Sequence, residues 1–305
     1  MSKKGFTEVD VPSQAGRIAL VTGANTGIGF HVARVLAERG ARVLLGCRSV
    51  DKANAAAARI RLTAPDADVG IVSLDLADLS SVKRAAAQVG GEPKLDRLIN
   101  NAGLMAPPYQ QTRDGFESQF GVNHLGPFAL TGLLLPMLTK TPGARIVNTS
   151  STAHRAARVN LQALNAENGY SAMTQYALSK LANLLHTYEL DRRFRRAGYD
   201  TLSVAAHPGG SDTELPRYFP SAGRLIPLVR PFLNSAEAGA WPTLLAATGD
   251  DVRSGEYFGP AGFAELAGPA RRVRSTRKSH DPQLAQKVWD ASVRLTGVDP
   301  KFAPA

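Results

Sequence analysis

Cysteine is almost missing from this chain: Cys47 stands alone among 305 residues. That excludes an intramolecular disulfide and a thiolate metal cluster, and a cytoplasmic setting is the expectation. No apolar run reaches the ~18 residues of a bilayer-spanning helix. Residues 1–15 are polar and lack the apolar centre of a secretory leader. They are expected to form a flexible N-terminal arm ahead of one large domain over 16–305. No group of His, Cys and carboxylates has metal-ligand spacing, so no metal is expected. Acid is also short: 26 Asp and Glu against 36 Lys and Arg give a net charge of +10. The densest basic run, Arg271-Arg272-Val273-Arg274-Ser275-Thr276-Arg277-Lys278, has no interleaved aromatics and no nucleic-acid motif. It reads as a solvated face, with an anionic partner as the alternative. Nucleic acid is not expected. Cys47 itself reads as a small buried residue.

What is present is an ordered alternation of strand and helix signals from Arg17 to about Ala206. That pattern predicts an α/β fold: a doubly wound, Rossmann-type parallel sheet with helices on both faces. Arg17-Ile18-Ala19-Leu20-Val21-Thr22 has the length of a buried strand. It runs into Gly23-Ala24-Asn25-Thr26-Gly27-Ile28-Gly29, then a helical pattern ended by Gly40, then a second strand from Ala41. A glycine-rich first turn in a βαβ unit suits a dinucleotide, because the glycines let the backbone approach a pyrophosphate at a helix N-terminus. NAD sites place an acid about 20 residues beyond the turn, whereas NADP sites place a cation there. Here the second strand ends in Gly46-Cys47-Arg48-Ser49, with no acid before Asp51. Arg48 can pair a 2′-phosphate through two parallel hydrogen bonds, so NADP(H) is the expected cofactor.

Tyr176 and Lys180 lie four residues apart in a stretch free of Gly and Pro, and so share one helix face. A phenol with a reference pKa of about 10 exchanges protons poorly near neutrality, and a neighbouring ammonium favours its ionised form. The pair is a candidate acid/base for a substrate oxygen.

These motifs, with five more, resemble the short-chain dehydrogenase/reductase family, in particular its retinol-dehydrogenase-like group. Val72-Ser73-Leu74-Asp75-Leu76 is similar to the family's third-strand end, and Asn100-Asn101-Ala102-Gly103 to its adenosine-side signature. Gly121 to Phe128 resembles the segment that supplies a catalytic Asn, and Ile146 to Ser151 the strand that ends in a catalytic Ser. His207-Pro208-Gly209 with Thr213 resembles the nicotinamide loop. The resemblance implies a catalytic set of Asn123, Ser151, Tyr176 and Lys180. It also implies cofactor contacts from Gly23, Asn25, Thr26, Gly27, Ile28, Gly29, Arg48, Asp75, Leu76, Asn101, Ala102, Gly103, Tyr176, Lys180, Pro208, Gly209 and Thr213. The second Ser of such a pair faces the site in the family, which selects Ser151 over Ser150.

The expected chemistry is hydride transfer between nicotinamide and a carbonyl or alcohol, with Tyr176 moving the proton and Ser151 bonded to the oxygen. The Pro-cut segment 214–233 mixes apolar residues with three arginines and corresponds to a substrate lid in the family. That suggests a lipophilic aldehyde, ketone or secondary alcohol, and a peripheral membrane contact is compatible with it. Residues 152–175 form the other expected wall, including His154, Arg155, Arg158 and Asn160. His124, His154 and His207 read as structural hydrogen-bonders. Relatives pair through the helices near 113–138 and 170–196, so a homodimer is one outcome. Two other functions stay open: reduction of a C=C bond, as in protochlorophyllide reductases, and a non-catalytic NADP sensor or scaffold.

Overall fold

The computed structural model describes residues 5–160, 164–166, 169–210 and 234–302. Eight strands form one sheet in the order β3-β2-β1-β4-β5-β6-β7-β8. They are β1 Ile18–Thr22, β2 Arg42–Cys47, β3 Val69–Ser73, β4 Arg97–Asn100, β5 Arg145–Thr149, β6 Leu202–Ala206, β7 Tyr257–Pro260 and β8 Ala270–Arg272. All neighbours are parallel except β7 and β8. The helices are α1 Gly27–Glu38, α2 Val50–Thr63, α3 Leu79–Val89, α4 Ser118–Lys140, α5 Ala172–Ala197, α6 Ala236–Thr248 and α7 Pro282–Thr296. The Rossmann-type α/β sheet expected from the alternation is the observed one.

Every residue of β1 and β4 is buried, which is why these strands read as unbroken apolar runs. Successive side chains point to opposite faces. Val21, Val43, Leu45, Ile99 and Val147 pack against Phe30, Leu36, Leu244 and Leu245 of α1 and α6. Leu20, Leu44, Leu98 and Ile146 pack against Phe128, Leu134, Leu190, Phe194 and Trp289 of α4, α5 and α7. α4 has a mean hydropathy of 1.2 over its most apolar 18-residue stretch, enough by length and composition to cross a membrane. This differs from the expectation that no stretch would reach that length. With 72% of it buried inside the fold, it serves as a core helix.

Residues 5–15 differ from the flexible arm expected for 1–15. Phe6 and Ala270 exchange both main-chain hydrogen bonds, at 2.9 and 2.7 Å. Val11 is 1% exposed. Glu8 pairs with Arg34 of α1 at 2.7 Å. Apolar residues at 6 and 11 are too sparse to show a periodicity, yet each finds a place on the finished core. Strands β7 and β8 also extend the sheet past the point where alternating signals end. Thr213 and the expected lid, 214–233, lie outside the described residues.

Candidate active site

The chain order changes direction between β1 and β4, and the C-terminal ends of the strands at such a point open onto a crevice. The glycine turn leaves β1 here. Gly23 and Gly27 have φ of +67° and +58°, a region that favours glycine. A Cβ on Gly29 would lie 3.0 Å from the Gly23 carbonyl carbon and closer still to its oxygen and to Asn101 Nδ2. The turn is therefore pressed against the end of β4. Thr22 Oγ1 fastens the two together, accepting from Asn101 N and Ala102 N at 3.0 Å each, while Asn101 Nδ2 donates to Thr22 O at 2.9 Å. Thr22 is a site residue beyond those expected from sequence. The signal was available, since it is a hydroxyl at the end of the strand that enters the turn.

Behind the turn, burial pushes the Cys47 thiol up from its ordinary pKa, opposed by hydrogen bonds from the Ala24 and Asn25 amides. Cys47 is a packing residue under Asn25, as its position at a strand end suggested. Thr26 is exposed and extended just before α1. Arg48 is exposed at the tip of β2, and Cys47 pairs in register with Ser73 of β3. That places Arg48 beside the segment carrying Asp75 and Leu76. Asp75 Oδ1 accepts from Ala77 N at 3.0 Å, and Leu76 packs under Gly126, where a Cβ would come within 2.6 Å of Leu76 O.

The candidate catalytic residues converge on the ends of β4 and β5. Tyr176 and Lys180 are 8% and 4% exposed on α5, and Lys180 Nζ lies 5.6 Å from the Tyr176 ring centre. Lys180 Nζ donates to Thr149 O at 3.3 Å. A Cβ on Gly103 would meet Asn123 Oδ1 at 3.1 Å and Lys180 Nζ at 3.3 Å, so the three are neighbours. Asn123 sits in a π turn, Gly121–Leu125, within α4. Such insertions rotate side chains out of the helical register and recur at functional sites. Asn123 Oδ1 accepts from Leu104 N at 2.6 Å, and its Nδ2 donates to Leu104 O at 2.9 Å and Ser179 Oγ at 3.0 Å.

The two serines after β5 are distinguished by their partners. Ser150 is 1% exposed and donates to the Lys180 main-chain carbonyl at 2.9 Å. Ser151 is half-buried; its Oγ accepts from Ala153 N at 3.2 Å, which keeps its proton for another acceptor. His154 Nδ1 lies 2.6 Å from Ser151 O, steadying the loop, and burial lowers its pKa. Pro208 and Gly209 follow β6. Asn234 Nδ2 donates to Pro208 O at 3.0 Å, and a Cβ on Gly239 would touch both Pro208 and Ile28. The proposed nicotinamide loop thereby meets the glycine turn. His207 lies 3.0 Å from Glu265, which also pairs with Arg155 at 2.9 Å. These contacts join the loops after β5 and β6.

The glycine cradle, the α1 N-terminus and the polar groups around Gly103 fit a dinucleotide lying across the strand ends. Among the described residues no group of His, Cys, Asp and Glu could hold a metal.

Comparison with known proteins agrees with this arrangement. The short chain dehydrogenase family model matches residues 17–221. Retinol dehydrogenase 11 of Mus musculus is 42% identical over 286 residues, 93% of this chain and 87% of its own. Retinol dehydrogenase 13 of Homo sapiens is 40% identical over 301 residues, covering 94% and 88%. A crystal structure of an uncharacterized protein from Mycobacterium Paratuberculosis superposes with a TM-score of 0.83 at 41% identity, over 98% of this chain and 100% of that one. A short chain dehydrogenase from Shigella flexneri complexed with NADP superposes with a TM-score of 0.62 at 27% identity, over 81% and 97%. The chain belongs to the short chain dehydrogenase family, nicotinamide-dependent oxidoreductases of CH–OH and C=O groups, and within it is retinol-dehydrogenase-like.

Proposed function

We propose that this chain interconverts a lipophilic carbonyl compound and its alcohol with NADP(H), using Tyr176 as the acid/base. The observation that carries this is Lys180 set between Tyr176, Asn123 and the Thr149 carbonyl at the end of the strand that leads into Ser151, beside the glycine cradle. A nicotinamide held there would supply or accept the hydride. Tyr176 gives its phenolic proton to the carbonyl oxygen during reduction and recovers it from the alcohol during oxidation. Ser151 donates its remaining O–H to the same oxygen, stabilising charge as it develops there. Lys180 faces the phenol with a fixed cation that favours the deprotonated form during turnover. Asn123 fixes the turn of α5 through Ser179 and holds the wall of the site at Leu104.

Support for NADP(H) comes from Arg48, exposed at the tip of β2 where an acid would select NAD. The related Shigella flexneri protein carries NADP. The similarity to retinol dehydrogenases favours an apolar substrate.

The test is NADPH oxidation against a panel of long-chain and ring-bearing aldehydes, ketones and enones. Turnover of aldehydes or ketones, lost in Tyr176→Phe with NADPH affinity kept, is the expected result. Wild-type turnover confined to the enones, or undiminished turnover in Tyr176→Phe, would overturn it.

A further inference from the structure

His124 takes no part in the chemistry above, yet it is 1% exposed and lies next to Asn123 in the π turn. The inserted residue, marked by the Gly126 N–H bonding back to Gly121 O, turns both side chains inward. His124 Nδ1 lies 3.2 Å from Asn183 Oδ1, and Nε2 lies 2.8 Å from Ser292 Oγ on α7. Asn183 is one turn beyond Lys180 on the same face of α5. Its Nδ2 donates to Thr149 O at 2.9 Å, the carbonyl that also accepts Lys180 Nζ.

We propose that His124 is a positioning residue for Lys180, acting through Asn183 and the Thr149 carbonyl. A carbonyl oxygen only accepts, so the amide end of Asn183 must face Thr149 and its Oδ1 must face His124. His124 must then carry a proton on Nδ1. Burial holds the imidazole neutral, with a pKa pushed down to about 4. Its one proton is therefore on Nδ1, which requires the Ser292 hydroxyl to turn its proton to Nε2 and away from the Val288 carbonyl 2.8 Å away on its own helix. Without the Nδ1 donor, Asn183 loses one of the two bonds that fix its carboxamide, and only its own bond to Thr149 O opposes turning. A turned Asn183 would set an oxygen against the Thr149 oxygen and displace the carbonyl that orients the ammonium. Small displacements of this kind cost a large factor in rate. The inference rests on Lys180 acting with Tyr176 in turnover, but it makes a claim about the resting protein that needs no turnover.

The full-length protein labelled with nitrogen-15 in histidine and lysine tests it. The His124 signal, identified by its loss in His124→Asn, should show a protonated Nδ1 and a bare Nε2. A protonated Nε2 overturns the proposal whatever the activity. The Lys180 Nζ signal should move in His124→Gln, which reaches toward Ser292, and stay in place in Ser292→Ala. A Lys180 signal unmoved in His124→Gln also overturns it. In turnover, His124→Asn places an amide donor near the Nδ1 position and should keep kcat within ~3-fold, whereas His124→Gln should lose ~10-fold or more at nearly constant KM for NADPH. Ser292→Ala should lower the melting temperature and spare kcat. The reverse ranking of the two His124 variants would assign His124 only to holding α7. Failure of wild-type turnover would count against the proposed function and leave the two spectroscopic results to decide this one.

Discussion

Replacing Gly29 by alanine would place a methyl carbon 3.0 Å from the Gly23 carbonyl carbon and nearer still to the Gly23 oxygen and Asn101 Nδ2. Carbon atoms in good packing sit about 3.5–4 Å apart, so something must move. Gly23 is main chain held at φ +67°, and it yields little. Asn101 can retreat only by giving up its 2.9 Å bond to Thr22 O. Overpacking of this kind costs about 1–3 kcal/mol, and a lost hydrogen bond adds about 0.5–1.5 kcal/mol. The expected destabilisation is therefore roughly 2–4 kcal/mol. Because the displaced groups form the cradle, NADPH affinity should fall ~10-fold or more. Gly143 supplies the control: its φ is +64°, and a Cβ there would meet nothing within 4 Å. Gly143→Ala should show the cost of the backbone conformation alone, about 1–2 kcal/mol, with NADPH binding unchanged. Urea unfolding and fluorescence titration with NADPH read both effects. If Gly29→Ala were as stable as Gly143→Ala and bound NADPH like the parent, the close approach of turn and β4 would be refuted.

Arg48→Asp should weaken NADPH ~10–100-fold, the scale of a lost charge-assisted contact, and leave NADH nearly unchanged; equal losses for both would remove Arg48 from the 2′-phosphate. Stability should fall on acidification. Between its ordinary pKa of 6.5 and about 4, the unfolded chain takes up a proton that buried His124 refuses. The folded state is thus disfavoured by an amount that grows to about 3 kcal/mol at the lower end. His186, also fully buried and held well below its ordinary range by burial, acts in the same direction. Urea midpoints measured from pH 7.5 to 4.5 should decline, less steeply in His124→Asn. An equal slope would show His124 protonated in the fold. Val11→Ala removes two methyl groups from a side chain 1% exposed and should cost about 1–3 kcal/mol in the same assay; no cost would mean that residues 5–15 are as loose as their sequence suggests.

The parts of this molecule that can be read from sequence are those whose physics is local. The spacing of Tyr176 and Lys180 fixes a shared helix face whatever surrounds it, and the Gly23–Gly29 turn announces itself by backbone freedom. The buried strands show as apolar runs because helices cover both faces of the sheet. What escaped is long-range. Val11 and Phe6 make no pattern until α1 and β8 are in place. β7 and β8 follow the segment 214–233 and are three or four residues long, too short for a period to declare itself. Ser150 and Ser151 are separable by pleat, but only the contact of Ser150 with the Lys180 carbonyl shows which is occupied. The line from Ser292 through His124 and Asn183 to Lys180 joins positions 168 apart in the chain, and no spacing rule links them.

The exchange of main-chain bonds between Phe6 and Ala270 has a bearing on how copies of this protein meet. The last strand of an open sheet offers unpaired amides and carbonyls to any neighbouring chain, and ribbons that grow from copy to copy begin there. β8 is only three residues long, Arg271 is exposed on it, and the segment from the chain's own beginning takes up the bonding groups of Ala270. That shortens the stretch of this flank open to continuous strand pairing. Molecules that come together on this side find little main chain to pair with, and trimming the first six residues would uncover the bonding groups of Ala270 as well.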